Sequence, residues 1–436
     1  MITRRNFLKK SATALAGGLI LPSFLEDNYL YGNVLGANDR INVGLIGCRS
    51  MGWGDLQALL SNPQIDCIAL CDIDQNVLKN RGAELTTQRN KAPQLFGDYR
   101  KMLDNKDIDA VMIGTPDHWH CLQLVDACKA GKDVYVEKPL ANSIAECDVM
   151  VKAAKKYNRV VQVGQQQRSG KLWHDMKDYI DSGKLGKIAK VNVWANFNYA
   201  SIRPAIPDTD IPQGVDFEMW LGPAPQRSFN PKRFHGSWRM FWDYGGGLMT
   251  DWGVHLMDMA LWGMNVKSMP NRVMATGGNF AFPDSYNETF DTLTVIYEFD
   301  DYTIEWSNVA GTESGPYGRN YGIEFKGTNG TLVANRESWE VYPDKNKIEA
   351  VKEVPEKDDR VFHTNDFVDC MKKRDMNTAC TIENGSLCAK YAHLGNIAAR
   401  TKTALVYDDK KHTFNNSAAN ELIKPEYRKP WQFPKV

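Results

Sequence analysis

The 436-residue chain has an ordinary globular composition, with 43% hydrophobic and 24% charged residues, and is long enough for two domains with separate cores. Its 53 Lys and Arg residues balance its 53 Asp and Glu residues, which argues against a surface that binds nucleic acid or an anionic membrane. The nine Cys form no C-x-x-C pair and no Cys/His ligand spacing. We interpret them as buried small hydrophobes and predict neither a disulfide framework nor a metal site.

The beginning of the chain is typical of an export signal. Paired arginines, Arg4 and Arg5, are followed closely by Phe-Leu-Lys and then by the apolar run 12–25, a pattern found in twin-arginine signals. The run is short and rich in Gly and Ser, which argues against a transmembrane span, and no Cys follows it for lipid attachment. We therefore predict that residues 1–37 are an export signal and linker, that the protein is periplasmic, and that it keeps no stable membrane anchor after signal removal. A basic amphipathic tail is the alternative.

Strands and helices alternate from residue 41 onward. Continuous apolar runs predict strands buried on both faces, and the segments between them predict helices. The six predicted strands lie at 41–46, 65–71, 94–96, 110–113, 134–136 and 160–163. This alternation predicts a doubly wound parallel sheet, a Rossmann-type domain that we assign to residues 38–164.

The pattern changes after Gln165. A predicted helix at 172–182 is followed by alternating runs, and Asn329-Gly330 lies between two short strands, which is a hairpin signal. We predict a second α/β domain, residues 165–410, with an open, largely antiparallel sheet that has one polar face. Two late helices, 366–373 and 383–400, are predicted to pack on this sheet. Residues 411–436 are aromatic and rich in Pro, and we assign them to a C-terminal tail.

A glycine turn, Gly47 to Gly52, follows the first strand and opens a helix. The dinucleotide fingerprint has Gly at its first, third and sixth positions; Gly47 and Gly52 fill the first and sixth, whereas Arg49 takes the third. Asp72 ends the second strand, where a carboxylate accepts hydrogen bonds from ribose hydroxyls and repels a 2′-phosphate. The sequence therefore predicts NAD as the cofactor, with Arg49 either turned outward or in contact with the phosphates. A degraded loop that no longer binds a nucleotide is the alternative.

A lysine follows the fifth predicted strand, in the sequence Glu137-Lys138-Pro139. Ligands of doubly wound sheets lie at the carboxyl ends of the strands, and Pro139 disfavours a helical Lys138. Lys138 is therefore expected to face a bound ligand; a solvated surface lysine is the alternative. His120 lies two residues after another His, but no acidic or Cys partner stands at ligand spacing, so we predict no metal there.

A second group of polar residues follows the glycines 245–247. Asp251, His255 and Asp258 have helical spacings of four and seven, which place them on one face of a helix. An Asp one turn before a His can orient the imidazole and raise its basicity, as a general base requires. The apolar neighbours of these residues favour a buried functional pair over a satisfied surface pair.

Aromatic residues precede the same glycines. Trp238, Trp242 and Tyr244 lie directly before them in the chain. Aromatic side chains are usually core residues, but beside a polar group they can also form a wall for a sugar ring. We take the three as candidate substrate-binding residues.

Taken together, these motifs resemble the Gfo/Idh/MocA (glucose–fructose oxidoreductase/inositol dehydrogenase) family over about residues 41–400. The resemblance implies an NAD(P)-binding Rossmann domain and an open sheet that often mediates oligomerisation, so we expect a homo-oligomer, either a dimer or a tetramer. The expected cofactor-binding residues are Gly47, Arg49, Met51, Gly52, Asp72, Thr115, Pro116, His120, Glu137 and Lys138.

The same resemblance implies that Lys138, Asp251 and His255 line the active site and that segment 165–168, with Arg168, lies near the nicotinamide and the substrate. The expected activity is NAD-dependent oxidation of a secondary hydroxyl on a sugar, glycoside or polyol. Lys138 would bind the hydroxyl, His255 would remove its proton, and Asp251 would orient the imidazole. Because a periplasm holds no free NAD pool, the NAD is expected to be tightly bound and recycled.

Two other functions are compatible with these residues. The first is a glycosidase that uses NAD transiently, through oxidation, elimination of the aglycone and reduction. Members of that kind lack the lysine of the E-K-P motif, so Lys138 favours the oxidoreductase. The second is a non-catalytic sugar-binding protein, which would give Lys138, Asp251 and His255 no joint role.

Overall fold

The computed structural model describes residues 40–201, 203–354 and 359–436, which belong to one compact unit, Arg40–Val436. The predicted export signal, residues 1–37, lies outside the described residues. Strands and helices alternate in the first part as β1 (Ile41–Ile46), α1 (Ser50–Leu59), β2 (Ile65–Cys71), α2 (Gln75–Arg89), β3 (Gln94–Phe96), α3 (Tyr99–Leu103), β4 (Ala110–Ile113), α4 (Asp117–Lys129), β5 (Asp133–Val136), α5 (Ile144–Tyr157) and β6 (Val161–Val163).

These six strands form one parallel sheet in the order β3-β2-β1-β4-β5-β6. The predicted doubly wound sheet is therefore confirmed. Strands β4 and β5 are buried along their whole length, as expected for strands covered by helices on both faces. The strand order changes direction between β1 and β4, and the crevice at the carboxyl ends of these two strands is where such folds bind ligands.

The second part is built on a larger sheet. Its elements are α6 (Lys171–Asp181), β7 (Ile188–Ala195), α7 (Phe217–Leu221), α8 (Val254–Gly263), β8 (Arg272–Gly278), β9 (Thr292–Glu298), β10 (Thr303–Val309), β11 (Tyr321–Gly327), β12 (Gly330–Ala334), β13 (Trp339–Pro343), β14 (Val351–Glu353), α9 (Asp359–Lys373) and α10 (Ile382–Thr401). The strand order is β14-β13-β12-β11-β7-β10-β9-β8. Only the β7–β10 pair is parallel, so the predicted open, largely antiparallel sheet is confirmed. Buried and half-buried residues alternate along β9 and β10, which gives the sheet one covered face.

The two late helices do not both pack on this second sheet, as the sequence predicted. Phe367 and Val368 of α9 lie instead in the core of the parallel sheet, in one cluster with Val43 and Leu45 of β1. Helix α10 has residues in the core clusters of both sheets. A helical pattern shows that one face is buried but does not identify the surface that covers it.

The predicted C-terminal tail is ordered structure. A short hairpin of β15 (Tyr407–Asp408) and β16 (Thr413–Phe414) precedes α11 (Ser417–Asn420). The chain then returns to the parallel-sheet part, where Trp431 contacts Trp119 of α4 edge to face, with ring centroids 4.9 Å apart. The sequence of this segment shows no period because its contacts come from single aromatic and charged side chains.

All nine Cys lie in the described part of the chain and are buried as free thiols. In the same described ranges, no group of His, Cys, Asp or Glu side chains is arranged to hold a metal ion. None of the helices described is both long enough and apolar enough to cross a membrane.

We expect three buried histidines to contribute less to the stability of the fold as the pH falls from 7 to 5, in the opposite direction to buried carboxyl groups such as Glu146, whose pKa is raised to about 7. Burial lowers the pKa of His118, His363 and His393 to about 4, whereas an unfolded His has a pKa of about 6.5. Between these values the unfolded chain binds more protons, so the stabilisation is complete above about pH 6.5 and is lost toward about pH 4. At pH 5 each of these residues accounts for roughly 2 kcal/mol of this loss.

Thermal melts between pH 5 and 7 test this expectation. His393 contacts the carbonyl oxygen of Ala141 through Nε2 at 2.9 Å, and His393→Gln keeps a donor there but cannot be charged. This variant is expected to show a shallower pH dependence of Tm than the wild type. His174→Gln, at an exposed position, serves as the control. A pH dependence of Tm that is the same in His393→Gln and in the wild type would contradict the prediction.

Candidate active site

A cavity lies at the carboxyl ends of the parallel strands, at the change of strand order. Its wall combines residues of the parallel-sheet part with residues 219–239 from the second part. Of the residues predicted to bind the cofactor, those that line it are Gly47, Arg49, Met51, Asp72, Thr115, Pro116, Glu137 and Lys138. The sequence therefore identified most of the floor of this cavity.

The glycine turn has the geometry that a dinucleotide requires. Gly47 has a φ of +87°, and a Cβ on it would lie 2.8 Å from the carbonyl group of Gly114. A Cβ on Gly52 would lie 2.4 Å from the carbonyl oxygen of Gly47, so side chains are excluded where β1, α1 and β4 meet. Helix α1 begins at Ser50, at the edge of the cavity, and its first N–H groups are the donors that bind a pyrophosphate. The residues present thus fit a bound dinucleotide.

Asp72 is held in place at the end of β2. Its carboxylate accepts hydrogen bonds from the backbone N–H groups of Cys48, at 2.8 Å, and Asp74, at 3.0 Å. Burial raises the pKa of Asp72, although these two bonds oppose the shift. Asp72 lines the cavity, and its Oδ2 atom is bound to the backbone of the glycine turn at Cys48. This is the placement expected for an acid that binds the ribose.

Arg49 also lines the cavity, at the residue before α1. Its charge acts on Asp72 and on His235, whose pKa is lowered to about 4 by burial and then by Arg49. Arg49 is thus an exposed residue at the lining of the cavity, and its contact with the phosphates stays a prediction.

We expect Arg49→Gly to fold normally and to lose NAD faster than the wild type on extended dialysis. A guanidinium forms charge-assisted contacts with phosphate oxygens, which are stronger than neutral hydrogen bonds. Arg49→Lys keeps the charge without the planar fork and should show intermediate retention. The NAD content after dialysis, measured on denatured samples, is the test. Equal retention in all three proteins would contradict the role of Arg49.

His120 differs from its predicted role. Its ring is fully buried, and Nδ1 and Nε2 lie 2.9 Å from the carbonyl oxygens of Pro139 and Thr115, respectively. His120 therefore connects two loops of the cavity floor and does not line the cavity among the residues described. The sequence placed it correctly beside Thr115 but could not show that both ring nitrogens are engaged by the backbone.

Glu137 forms a buried carboxyl pair with Asp55 of α1, below the cavity. Burial raises the pKa of both groups, and in Asp55 the neighbouring Glu137 adds to the effect. The Arg360 guanidinium lies 3.3 Å from Asp55 and opposes these shifts. The charged forms of these two carboxyl groups are therefore disfavoured next to Lys138.

Lys138 and Asp251 form the centre of the site. The Lys138 ammonium group donates to Oδ1 of Asp251 at 2.7 Å and to its carbonyl oxygen at 3.1 Å. Asp251 also accepts from Nε of Arg239, at 3.2 Å, and from the hydroxyl of Tyr199, at 2.7 Å. Burial alone would raise the pKa of Asp251, but Lys138 and Arg239 outweigh it and hold the pKa well below its usual value.

The Asp251 carboxylate, which was expected to orient the His255 imidazole, is engaged by these contacts instead. Residues 249–253 form a π-helical turn before α8, and a π turn contains an extra residue relative to an α turn. The spacing of four therefore no longer places Asp251 directly above His255. Among the residues described, Nδ1 of His255 is buried without a hydrogen-bond partner. Burial, and then the charge of Lys138, lowers the pKa of His255 well below its usual value, so the imidazole is neutral.

Arg168 is occupied by a partner of its own. Its guanidinium donates from Nε and Nη2 to the two carboxylate oxygens of the buried Asp258, both at 2.8 Å. The pair lies outside the lining of the cavity. Arg168 thus holds segment 165–168 on Asp258 in this structure, and its contact with substrate stays a prediction.

Of the three predicted aromatic wall residues, only Trp238 lines the cavity. Tyr244 is fully buried against Trp220, with ring centroids 4.7 Å apart, and Trp242 lies against the Arg400 guanidinium. Tyr244 therefore belongs to the protein interior, which is the usual place of aromatic residues, whereas Trp242 is half-buried.

Three site residues were missed by the sequence analysis: Asp117, Tyr199 and Arg239. Asp117 is buried, lines the cavity directly after Pro116, and has its pKa raised by burial against the opposing charges of Arg239 and Lys138. Its position at the end of β4 was a usable signal, because it follows the same rule that identified Lys138. Tyr199 and Arg239 lie in 3₁₀ helices that are too short to show a period in the sequence.

Comparison with known proteins gives both a distant fold match and a partial sequence match. An aldose-aldose oxidoreductase from Caulobacter crescentus complexed with glycerol has a TM-score of 0.63 at 18% identity, over 84% of this chain and 99% of that one. The WlbA dehydrogenase from Bordetella pertussis, in complex with NADH and UDP-GlcNAcA, also has a TM-score of 0.63 at 18% identity, over 85% and 99%. These similarities establish the fold.

A glycosyl hydrolase family 109 protein from Shewanella putrefaciens is 30% identical over 172 residues, which cover 36% of this chain and 37% of the relative. The match thus spans little more than a third of each protein. Two family models cover the chain far more completely: an oxidoreductase-family NAD-binding Rossmann fold matches residues 41–165, and an oxidoreductase-family C-terminal α/β domain matches residues 170–433. With this match and the glycine turn, NAD as the cofactor is confirmed, and the chain belongs to the Gfo/Idh/MocA oxidoreductase family.

Proposed function

We propose that the protein is an NAD-dependent oxidoreductase that acts on a secondary hydroxyl of a sugar, glycoside or polyol. The observation that carries this proposal is the Lys138 ammonium group, fixed by Asp251 in the wall of the cofactor cavity. An ammonium group in this place binds the oxygen of a reacting alcohol and stabilises negative charge that develops on it. NAD, when bound, supplies the hydride acceptor and donor.

The other residues divide the remaining tasks. The neutral His255 accepts the proton of the hydroxyl, as a general base does. Asp251 holds the Lys138 ammonium group in place, and Arg239 and Tyr199 hold the Asp251 carboxylate in turn. In this arrangement Asp251 positions Lys138 and not the imidazole.

The substrate class is supported by proteins with the same fold. One is an aldose-aldose oxidoreductase complexed with glycerol, and another is a dehydrogenase complexed with NADH and UDP-GlcNAcA. The ring of Trp238 at the cavity offers an apolar surface suited to the C–H face of a sugar.

The N-terminal pattern around Arg4 and Arg5 supports export to the periplasm by the twin-arginine route. That route carries folded proteins, so NAD can travel already bound. A periplasm offers no free NAD to replace what is lost, and the cofactor is then recycled within a redox-neutral cycle or by a second carbohydrate.

We further propose a homo-oligomer, a dimer or tetramer, formed through the open sheet.

A second candidate function is a glycosidase that uses NAD transiently. The 30% identity to a glycosyl hydrolase family 109 protein over 172 residues favours it. Lys138 favours the oxidoreductase, because it offers a group that binds the reacting oxygen. Both functions require retained NAD and a base such as His255, so product analysis has to separate them.

The experiment is a nucleotide analysis followed by a substrate panel. Mass spectrometry of freshly purified, denatured protein is expected to show NAD(H), and a tenfold preference for NADP (about 1.4 kcal/mol) would contradict the role of Asp72. The protein is then incubated with sugars, polyols and chromogenic glycosides. Formation of an oxidised carbohydrate supports the oxidoreductase, whereas release of aglycone without accumulation of NADH or a keto-sugar supports the glycosidase.

A further inference from the structure

The C-terminal segment 424–436, here named the C-terminal strap, contacts the outer side of the cofactor cavity. Two elements form the wall there: α7, which supplies Met219 and Trp220, and α4, which supplies Trp119. The strap packs against both elements at this place, beside Tyr99 of α3, whose ring meets Trp119 edge to face with centroids 5.7 Å apart. The strap is outside the catalytic group of Lys138, Asp251 and His255, and the proposed function gives it no role.

Arg428 of the strap fixes the loop that follows α7. Its Nε donates to the carbonyl oxygens of Gly222, at 3.2 Å, and Ala224, at 3.1 Å. Its Nη1 donates to the carboxylate of Glu218, at 2.8 Å, and to the amide oxygen of Gln226, at 2.7 Å. The Glu218 side chain is 66% exposed, so the ion pair by itself contributes little. The backbone contacts determine where the loop lies.

Trp431 of the strap supports the other part of the wall. Its ring meets Trp119 edge to face, with centroids 4.9 Å apart, and the Arg100 guanidinium lies over the Trp431 ring, 4.9 Å from its centroid. Trp119 in turn donates from Nε1 to the carbonyl oxygen of Trp220, at 3.0 Å. Strap, α4 and α7 therefore form one connected wall.

A third contact ties the strap to α5. The hydroxyl of Tyr427 donates to Oε1 of Glu146 at 2.6 Å, and the hydroxyl of Ser143 donates to Oε2 of the same carboxyl group at 2.9 Å. Burial raises the pKa of Glu146 to about 7. The strap is thus anchored to the parallel-sheet part on one side and to the loop after α7 on the other.

The segment before α7 is bound near the ribose end of the cavity. The backbone N–H of Gln75 donates to the carbonyl oxygen of Gly214 at 2.8 Å, and that of Asp216 donates to the carbonyl oxygen of Ile73 at 3.0 Å. Both ends of α7 are therefore held, one by β2 and its following turn and the other by the strap. The part of the wall formed by α7 is thus attached at both ends, in addition to the hydrogen bond from Trp119 to the carbonyl oxygen of Trp220.

We propose that the C-terminal strap keeps the cofactor in the protein, and that Arg428 and Trp431 are positioning residues that hold α7 and Trp119 in place over bound NAD. Release of NAD then requires the strap to detach. The inference rests on the proposed function, in which one NAD molecule serves many turnovers. It also gives a role to a C-terminal segment that contacts α4, α5 and the loop after α7 but contains none of the proposed catalytic residues.

The test measures the exchange of bound NAD with an excess of isotope-labelled NAD, followed by mass spectrometry of the denatured protein. Arg428→Ala and Trp431→Ala are each expected to speed the exchange by roughly tenfold or more, which corresponds to about 1.4 kcal/mol less resistance to opening. Lys435→Ala removes an exposed positive charge from the same strap and is the matched control, with an exchange rate equal to that of the wild type. With saturating NAD, the kcat of both test variants should stay near that of the wild type.

Arg428→Lys provides a milder variant in case either alanine variant does not fold, as judged by thermal melts with saturating NAD. It keeps the charge but loses the multiple contacts of the guanidinium, and an intermediate exchange rate is expected. Exchange rates that are the same in the wild type and in every folded strap variant would overturn the inference. Rapid exchange in the wild type itself would instead contradict retained NAD in the proposed function, while the ratio between variant and wild type would still decide the role of the strap.

Discussion

Lys138→Ala is expected to abolish turnover while leaving the fold and the bound NAD nearly intact. The ammonium group of Lys138 lines the cavity and is held in place by its hydrogen bond to Asp251. The substitution by Ala removes the group that is proposed to bind and polarise the reacting hydroxyl. A positioned polar group of this kind contributes about 10²–10⁴-fold to the rate. Asp251 keeps the contacts with Arg239 and Tyr199 in the variant, so its buried charge stays compensated and the loop stays in place.

The measurement is single-substrate kinetics with the best carbohydrate of the panel, together with the NAD content of the same preparation. Lys129→Ala, an exposed position at the end of α4, is the control for loss of a lysine. A decrease of kcat below about tenfold in Lys138→Ala would show that the assigned role is wrong. A protein that has lost its NAD would instead indicate that Lys138 acts mainly on the cofactor.

His255→Ala is expected to lower kcat by about 10²–10⁴-fold, because it removes the base that accepts the hydroxyl proton. The imidazole is neutral in the folded protein, since burial and the charge of Lys138 lower its pKa well below the usual value. A base with a lowered pKa stays unprotonated as the pH falls through 6.5, where an ordinary imidazole is already half protonated. The acid limb of kcat/KM should therefore lie below pH 6.5 in the wild type.

A profile of kcat/KM between pH 5 and 9 tests this second expectation. The free enzyme determines this profile, so the midpoint of the acid limb reports on the unliganded His255. His255→Gln keeps a side chain of similar length that cannot act as a base, and it should be as impaired as His255→Ala. An acid limb at pH 6.5 or above, or near-normal kcat in either variant, would contradict the assignment of His255 as the base.

The sequence by itself determined the parallel sheet and the floor of the cavity. Strands buried on both faces are continuous apolar runs, and the residues after them lie at the ligand-binding edge in every doubly wound sheet. Gly47, Asp72 and Lys138 could be placed by this rule alone, because each depends only on its distance from a strand end. The same rule would have identified Asp117.

Only the tertiary structure decided which side chains meet inside the site. Asp251 contacts Lys138 and not His255 because a π-helical turn shifts the phase of the helix, and the sequence spacing assumes an α-helix throughout. Arg239 and Tyr199 reach Asp251 from short 3₁₀ helices, whose positions depend on contacts far away in the chain. The contacts of the C-terminal strap likewise depend on the tertiary structure. A periodic pattern in the sequence indicates an element and its buried face, but it does not show which distant residue, such as Trp119 for Trp431, packs against that face.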